Sequence, residues 1–140
     1  MADASSLERF VEAQRGIYPQ ALAELRAGDK RSHWMWFIFP QIAGLGRSPT
    51  AQFYAIADRA EAGDFWRHEV LGPRLIECTQ AMLDWAGRRS AEAILGTVDA
   101  LKCRSSMTLF EACADDPAPF AAALDAFYGG VRDEATLARL

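Results

Sequence analysis

The sequence of 140 residues has few of the side chains that stabilise small secreted proteins or bind metal ions. It contains three cysteines, Cys78, Cys103 and Cys113, with no Cys-x-x-Cys spacing, so it predicts neither a disulfide framework nor a zinc site. Its two histidines, His33 and His68, are too few for a histidine-rich metal centre. We therefore expect no metal ion, no cofactor and reduced thiols, and reduced thiols indicate the cytoplasm.

The sequence also lacks the apolar segments that direct a chain to a membrane. The first ten residues, MADASSLERF, have neither a basic start nor an apolar stretch, so we expect no signal peptide. The longest apolar run, residues 34–40, is far shorter than the ~20 residues that cross a bilayer. We therefore expect no membrane association.

Positive charge is scarce overall but concentrated in one segment. The formal net charge is −4, whereas a protein whose main partner is nucleic acid carries a basic surface, so we expect no such partner. Between residues 26 and 47, four cations (Arg26, Lys30, Arg31 and Arg47) stand against one acid, Asp29, which gives a local charge of +3. This excess indicates an anion-binding site, or alternatively cations placed at the C-terminus of a helix.

The spacing of apolar residues predicts an all-α fold, with residues 1–140 forming one compact multi-helix domain. The clearest stripe, Leu71, Leu75, Cys78, Met82 and Trp85, advances by four and three residues, as on one buried helix face. Residues 33–39, HWMWFIF, are apolar on every side, which suits either a buried strand or a buried helix. Because no partner strand is evident, we predict a buried, central, aromatic-rich helix.

Two segments are candidates for ligand binding. The first places cations beside large aromatic rings, a combination that can hold phosphates and stack on a flat ring, although both tryptophans can equally belong to the core. The residues proposed in it are Lys30, Arg31, Ser32, His33, Trp34, Trp36 and Gln41. Among them His33 is the catalytic candidate, because imidazole exchanges protons near neutral pH.

The second candidate segment has two cations around a thiol, followed by two hydroxyls. Its proposed ligand-binding residues are Lys102, Arg104, Ser105 and Ser106. The cations can lower the pKa of the Cys103 thiol and make it reactive, or Cys103 can be a buried, inert member of an apolar stripe. Two serines inside a helix indicate a close packing contact or a polar pocket.

The chain resembles the domain-of-unknown-function family 1810 over nearly its whole length. The resemblance lies in Leu7–Phe10, in the string KRSHWMWFIFPQ at 30–41, in Leu71–Leu75, and in Lys102 with Arg104–Phe110. It implies an all-helical single domain and supplies no established activity. Members are often labelled "calpastatin", but calpastatins are disordered protease inhibitors, whereas the present composition is that of a folded domain.

Two functions from different classes fit these features. The first is a pocket for a small anionic, nucleotide-like metabolite, such as ADP-ribose or an NAD-derived compound, with hydrolase activity as an extension. In it the anion is bound by Lys30, Arg31, Lys102 and Arg104. Trp34 or Trp36 stacks on the ligand, His33 transfers protons, and Gln41 orients the ligand together with Ser105 and Ser106. It requires segments about 70 residues apart to meet. The alternative is a helical protein–protein interaction module without catalysis.

Overall fold

The structure, a computed structural model, describes residues 2–140, with side chains from Leu7 onward, and this part of the chain contains ten α-helices. They are α1 (Ala2–Gln14), α2 (Tyr18–Arg26), α3 (Met35–Ile38), α4 (Pro49–Phe53), α5 (Arg59–Arg67), α6 (Leu71–Leu83), α7 (Ala91–Leu95), α8 (Thr97–Cys113), α9 (Ala118–Tyr128) and α10 (Glu134–Leu137). Residues 2–140 contain no β-strand, only an isolated parallel bridge between Ile42 and Ile56. The predicted all-α, single-domain fold is confirmed.

Side-chain caps fix where three of the shorter helices begin. Ser48, Asp58 and Ser90 each have an extended backbone, and each side-chain oxygen accepts a hydrogen bond from the backbone N–H three residues later. Such a cap satisfies one of the N–H groups that the first turn of a helix leaves without a partner. The beginnings of α4, α5 and α7 therefore follow from local sequence.

The core is organised around α8, which packs against α5, α7, α9 and α10. A chain of phenylalanine rings crosses the core from α1 to α9. The centroid distances are 5.1 Å between Phe10 and Phe65, 5.3 Å between Phe65 and Phe110, and 5.8 Å between Phe110 and Phe120. These separations are those of favourable aromatic pairs, so the four rings join α1, α5, α8 and α9 into one core.

The apolar stripe predicted around residue 78 forms α6, with one correction at its end. Leu71, Leu75, Cys78 and Met82 are buried, but the helix stops at Leu83. Trp85 therefore lies in the following turn, where it is only half-buried. Its indole N–H donates to the Leu25 carbonyl at 3.0 Å, so Trp85 joins this turn to the end of α2.

The aromatic segment at 33–39 contains the expected buried helix, α3, but only as a single turn. Met35, Phe37 and Ile38 are buried in it. Phe39 leaves helical geometry with φ −123° and ψ 71°, because proline disfavours the α conformation in the residue before it. At the other end, Trp34 is completely buried and His33 is exposed.

One carboxylate holds the loop that leads into α3. Glu24 accepts hydrogen bonds from the backbone N–H groups of Arg31 and Ser32, from the Ser32 hydroxyl at 2.7 Å and from the Trp34 indole at 2.9 Å. Partial burial on its own would raise the pKa of the Glu24 carboxyl, but these bonds outweigh burial and lower the pKa from 4.5 to about 2. The ionised carboxylate is therefore part of the folded loop.

We predict that Glu24→Gln lowers the free energy of unfolding at pH 7 by about 2–3 kcal/mol, because hydrogen bonds to a charged acceptor are lost. The folded-state pKa lies below the unfolded one, so this contribution is complete above pH 4.5 and disappears as the pH falls towards 2. Urea denaturation from pH 2 to 7 measures it. The exposed Glu69→Gln serves as the control, and parallel pH profiles for wild type and Glu24→Gln would refute the role of Glu24.

Gly28 supports a second prediction, because it adopts a left-handed conformation in direct contact with Trp85. Its φ is +69°, and a Cβ there would lie 2.7 Å from Trp85 Cε2. Gly129 has a similar φ of +60° with open space around it, which makes it a matched control. We expect Gly129→Ala to cost about 1–2 kcal/mol from backbone strain alone. Gly28→Ala should cost a further ~1–3 kcal/mol from overpacking. Equal losses in chemical denaturation would contradict the steric contact.

Candidate functional site

The two candidate segments meet at a single carboxylate, that of Asp99. Lys30 Nζ lies 2.8 Å from Asp99 Oδ2, and Lys102 Nζ lies 3.7 Å from Asp99 Oδ1. Lys102 belongs to α8, one turn after Asp99, whereas Lys30 follows α2 and is held by its backbone N–H, which donates to the Ile94 carbonyl at 2.8 Å. We call Lys30, Asp99 and Lys102 the lysine-pair site.

Each lysine of this site lies near a tryptophan ring, but the two rings differ in access. Lys30 Nζ is 5.2 Å from the Trp34 ring centroid and Lys102 Nζ is 5.3 Å from that of Trp36, both within cation–π range. Trp34 is completely buried, so of the two tryptophans considered for stacking it is the one that belongs to the core, and a ligand cannot reach its ring. Trp36 is half-buried and keeps part of its surface accessible.

The charge of the lysine-pair site is unbalanced. The Lys30 side chain is 8% exposed, so its ammonium group requires the Asp99 counter-charge. Lys102 is 30% exposed and lies farther from the same carboxylate. Two cations and one acid leave a local charge of +1, and the more accessible cation is Lys102.

Arg31 and Ser32 belong to the network around Glu24. The Arg31 side chain is 79% exposed and pairs with Asp29 at 2.9 Å, and the Ser32 hydroxyl donates to Glu24. An open hollow of about 430 Å³ lies beside them, lined by Gln20, Ala23, Glu24, Ala27, Asp29 and Arg31. Two carboxylates in this lining disfavour an anion. Both residues therefore have structural partners apart from the lysine-pair site.

Arg104 and Ser105 fasten the C-terminal helix to α8. The Ser105 hydroxyl donates to Asp133 Oδ2 at 2.8 Å, and Arg104 Nη2 lies 4.0 Å from Asp133 Oδ1. Thr136 donates to the same Asp133 oxygen at 2.5 Å. The carboxylate just before α10 thus has three partners, and no pattern in the sequence links Asp133 to Ser105, which is 28 positions away.

Ser106 is the hydroxyl in the second segment with unused hydrogen-bonding capacity. It is completely buried, and its Oγ has no hydrogen-bond partner among the described residues. Because it follows Lys102 by four residues, it shares that residue's face of α8. A buried hydroxyl without a partner costs about 1–3 kcal/mol, so the Ser106 hydroxyl itself does not stabilise the fold.

His33 and Gln41 take no part in the ion pairs of the lysine-pair site. His33 is exposed, and no hydrogen bond or ion pair in the described part of the chain involves it. Gln41 and Trp36 line a small cavity of about 10 Å³ together with Gly46 and Tyr54, among others. That volume is close to the space one water molecule needs, so this cavity is too small for a metabolite.

The thiol in the second segment has no reactive character. Cys103 is buried, and burial raises the pKa of its thiol to about 12. The described residues contain no group of three or more His, Cys, Asp or Glu side chains that could hold a metal ion. None of the described helices is long and apolar enough to cross a membrane.

The chain belongs to the family described as "Protein of unknown function (DUF1810)", whose profile matches residues 4–140. This confirms the resemblance seen in the sequence. No curated protein matches the chain. Among solved structures, the fold is similar to that of the conserved hypothetical protein Rv1873 from Mycobacterium tuberculosis, with a TM-score of 0.92 and 49% identity. The similarity covers 96% of this chain and 95% of that one.

We predict that Asp99→Asn lowers the free energy of unfolding by about 3 kcal/mol, because it leaves the buried Lys30 ammonium without a counter-charge. Asp29→Asn is the matched control. It breaks an ion pair of the same type with the exposed Arg31, and we expect it to cost less than about 1 kcal/mol. Urea denaturation of both variants at pH 7 measures the difference, and equal losses would show that Lys30 does not depend on Asp99.

Proposed function

We propose that the lysine-pair site and Trp36 bind a small anionic, nucleotide-like ligand. The observation that carries this proposal is that one carboxylate, Asp99, serves two lysines, so the site keeps a charge of +1. An anion placed beside Lys102 would act as the second counter-ion. Lys30 is too buried to touch it and would contribute through its charge.

The nucleotide-like character of the ligand is inferred from the Trp36 ring, which lies beside the Lys102 ammonium group. Lys102 Nζ and the half-buried Trp36 ring are 5.3 Å from each other, so one ligand can place a phosphate on the first and a flat ring on the second. The cavity that Trp36 lines has room for one water only. The ligand would therefore lie across the outer surface of Lys102 and Trp36.

Hydrolysis of the bound ligand is the second part of the proposal, and His33 is its acid–base candidate. Its imidazole is exposed and lies in the segment between Lys30 and Trp34. An exposed imidazole has both ring nitrogens available for proton transfer to and from water. In this proposal His33→Gln abolishes turnover of ADP-ribose and leaves its affinity unchanged.

An alternative function, a helical protein-interaction module, has one specific observation in its favour. Val98 and Leu101 are 65% and 54% exposed, and they lie three residues apart on one face of α8. Neither lies in the proposed ligand site. Under this alternative, replacing both with serine removes partner binding, whereas under the ligand proposal it leaves the affinity for the anion unchanged.

We also propose that the protein works in the cytoplasm. Cys78, Cys103 and Cys113 are all free, and Cys78 and Cys103 are buried. Free thiols throughout a chain suit a reducing compartment, where disulfides rarely persist.

We predict that ADP-ribose raises the thermal unfolding midpoint and that adenosine, which lacks the anion, does not. At a concentration about 100-fold above the dissociation constant, binding would add ~2.7 kcal/mol to stability. Lys102→Gln should remove the shift without unfolding the protein, because the Lys102 side chain is partly exposed.

Arg15→Gln is the control for this experiment, since it removes an exposed cation that pairs with Glu12 in another part of the molecule. It should leave the shift intact. The proposal fails if none of ADP-ribose, ADP and inorganic phosphate raises the thermal unfolding midpoint. It also fails if Lys102→Gln binds these ligands as tightly as the wild type does.

A further inference from the structure

A second group of cations lies in the turn between α6 and α7. Within the described residues, Arg88 and Arg89 have no carboxylate within 4.0 Å, although Asp84 and Glu92 are near them in sequence. Both arginines line an open hollow of about 370 Å³, which we call the arginine hollow. Its lining is Gly87, Arg88, Arg89, Ser90, Ala126 and Phe127.

The arginines are held in place by contacts that leave most of their donors free. The backbone N–H groups of Arg88 and Arg89 both donate to the Trp85 carbonyl, at 2.8 and 3.0 Å. The Arg88 guanidinium lies 4.8 Å from the Trp85 ring centroid. Arg89 Nη2 donates to the Ala93 carbonyl at 3.1 Å, which uses one of its five N–H donors. Pre-ordered arginines lose less entropy when they bind an anion.

The rest of the lining adds a hydroxyl and an apolar surface. Ser90 Oγ accepts a hydrogen bond from the Ala93 N–H at 3.0 Å, so its own O–H can still donate. Ala126 and Phe127, from α9, supply the apolar part of the hollow. The volume lies within the range of small-molecule sites, ~300–1,000 Å³.

We propose that the arginine hollow binds a compact anion attached to an aromatic group. The phosphate or carboxylate of such a ligand would accept hydrogen bonds from Arg88, Arg89 and the Ser90 hydroxyl, and its ring would pack on Phe127. This site is formed by the α6–α7 turn and α9, whereas the lysine-pair site uses α8 and the loop before α3. It therefore does not depend on the proposed function above.

The experiment uses the tryptophan indole N–H signals of the full chain labelled with ¹⁵N. The chain has four tryptophans, and Trp85, beneath Arg88, reports on the arginine hollow, whereas Trp36 reports on the lysine-pair site. The probes are phenyl phosphate, benzoate and inorganic phosphate, with benzyl alcohol as the uncharged control, at constant ionic strength. The first two probes distinguish phosphate from carboxylate as the preferred anion.

We expect phenyl phosphate or benzoate to shift the Trp85 signal saturably and to bind at least about tenfold more tightly than benzyl alcohol. Arg89→Gln should raise the dissociation constant about tenfold through loss of a charged hydrogen bond. Arg88→Lys, which keeps the charge but not the planar fork, should weaken binding by less. Lys102→Gln should leave the Trp85 titration unchanged, and this separates the result from that of the lysine-pair site.

Three results would overturn the proposal: no saturable shift of Trp85 with either aromatic anion, benzyl alcohol binding as tightly as phenyl phosphate, or wild-type affinity in Arg89→Gln. Binding of inorganic phosphate alone with the same affinity as phenyl phosphate would refute the aromatic part, since Phe127 would then contribute nothing. Both arginines are on an exposed turn, so the variants should fold, and their Trp34 signals should match the wild type.

Discussion

A buried ammonium group needs a counter-charge, and the path of the chain from α2 to α3 depends on this requirement. Lys30 enters the interior beside Trp34 only because Asp99 meets it there at 2.8 Å. Asp99 is fixed in the first turn of α8, the helix against which much of the core packs. The loop before α3 is thereby tied to the centre of the molecule, and Glu24 completes the connection by satisfying the N–H groups of that loop.

Features with a local cause could be predicted from the sequence, whereas charge pairing could not. The buried stripe on α6 can be predicted from helical spacing alone. That prediction is wrong only at Trp85, where the helix has already ended. The excess of cations around residue 30 can also be counted directly along the sequence. Its neutralisation depends on tertiary structure, because Asp99 is 69 positions from Lys30. Arg88 and Arg89 show the converse, since acids near them in sequence do not pair with them.

The two tryptophans of the aromatic segment also show that burial decided by tertiary contacts cannot be predicted from the sequence. Trp34 precedes α3 and has a non-helical backbone, with φ −136° and ψ 3°, whereas Trp36 lies within the helix, so different local geometry places the two residues. Trp34 and Trp36 flank the start of α3 and differ accordingly: the first is buried and bonded to Glu24, and the second is half-buried beside Lys102. The run HWMWFIF is apolar on every side, so its spacing alone does not say which of the two tryptophans belongs to the core. Which one it is depends on Glu24, a residue that no pattern in the segment identifies.

The two positively charged regions adjoin each other at the C-terminal end of α7. Successive carbonyls there accept hydrogen bonds from both regions: that of Ala93 from the Arg89 guanidinium and that of Ile94 from the Lys30 backbone. The Arg89 guanidinium is a cation at a helix C-terminus, where carbonyls carry partial negative charge, whereas Lys30 reaches this end through its backbone N–H and pairs its ammonium with Asp99. The surplus charges of the lysine pair and of the two arginines therefore lie near one another in a protein whose net charge is −4. In such a field an anion is drawn to this side of the molecule whichever site it finally occupies.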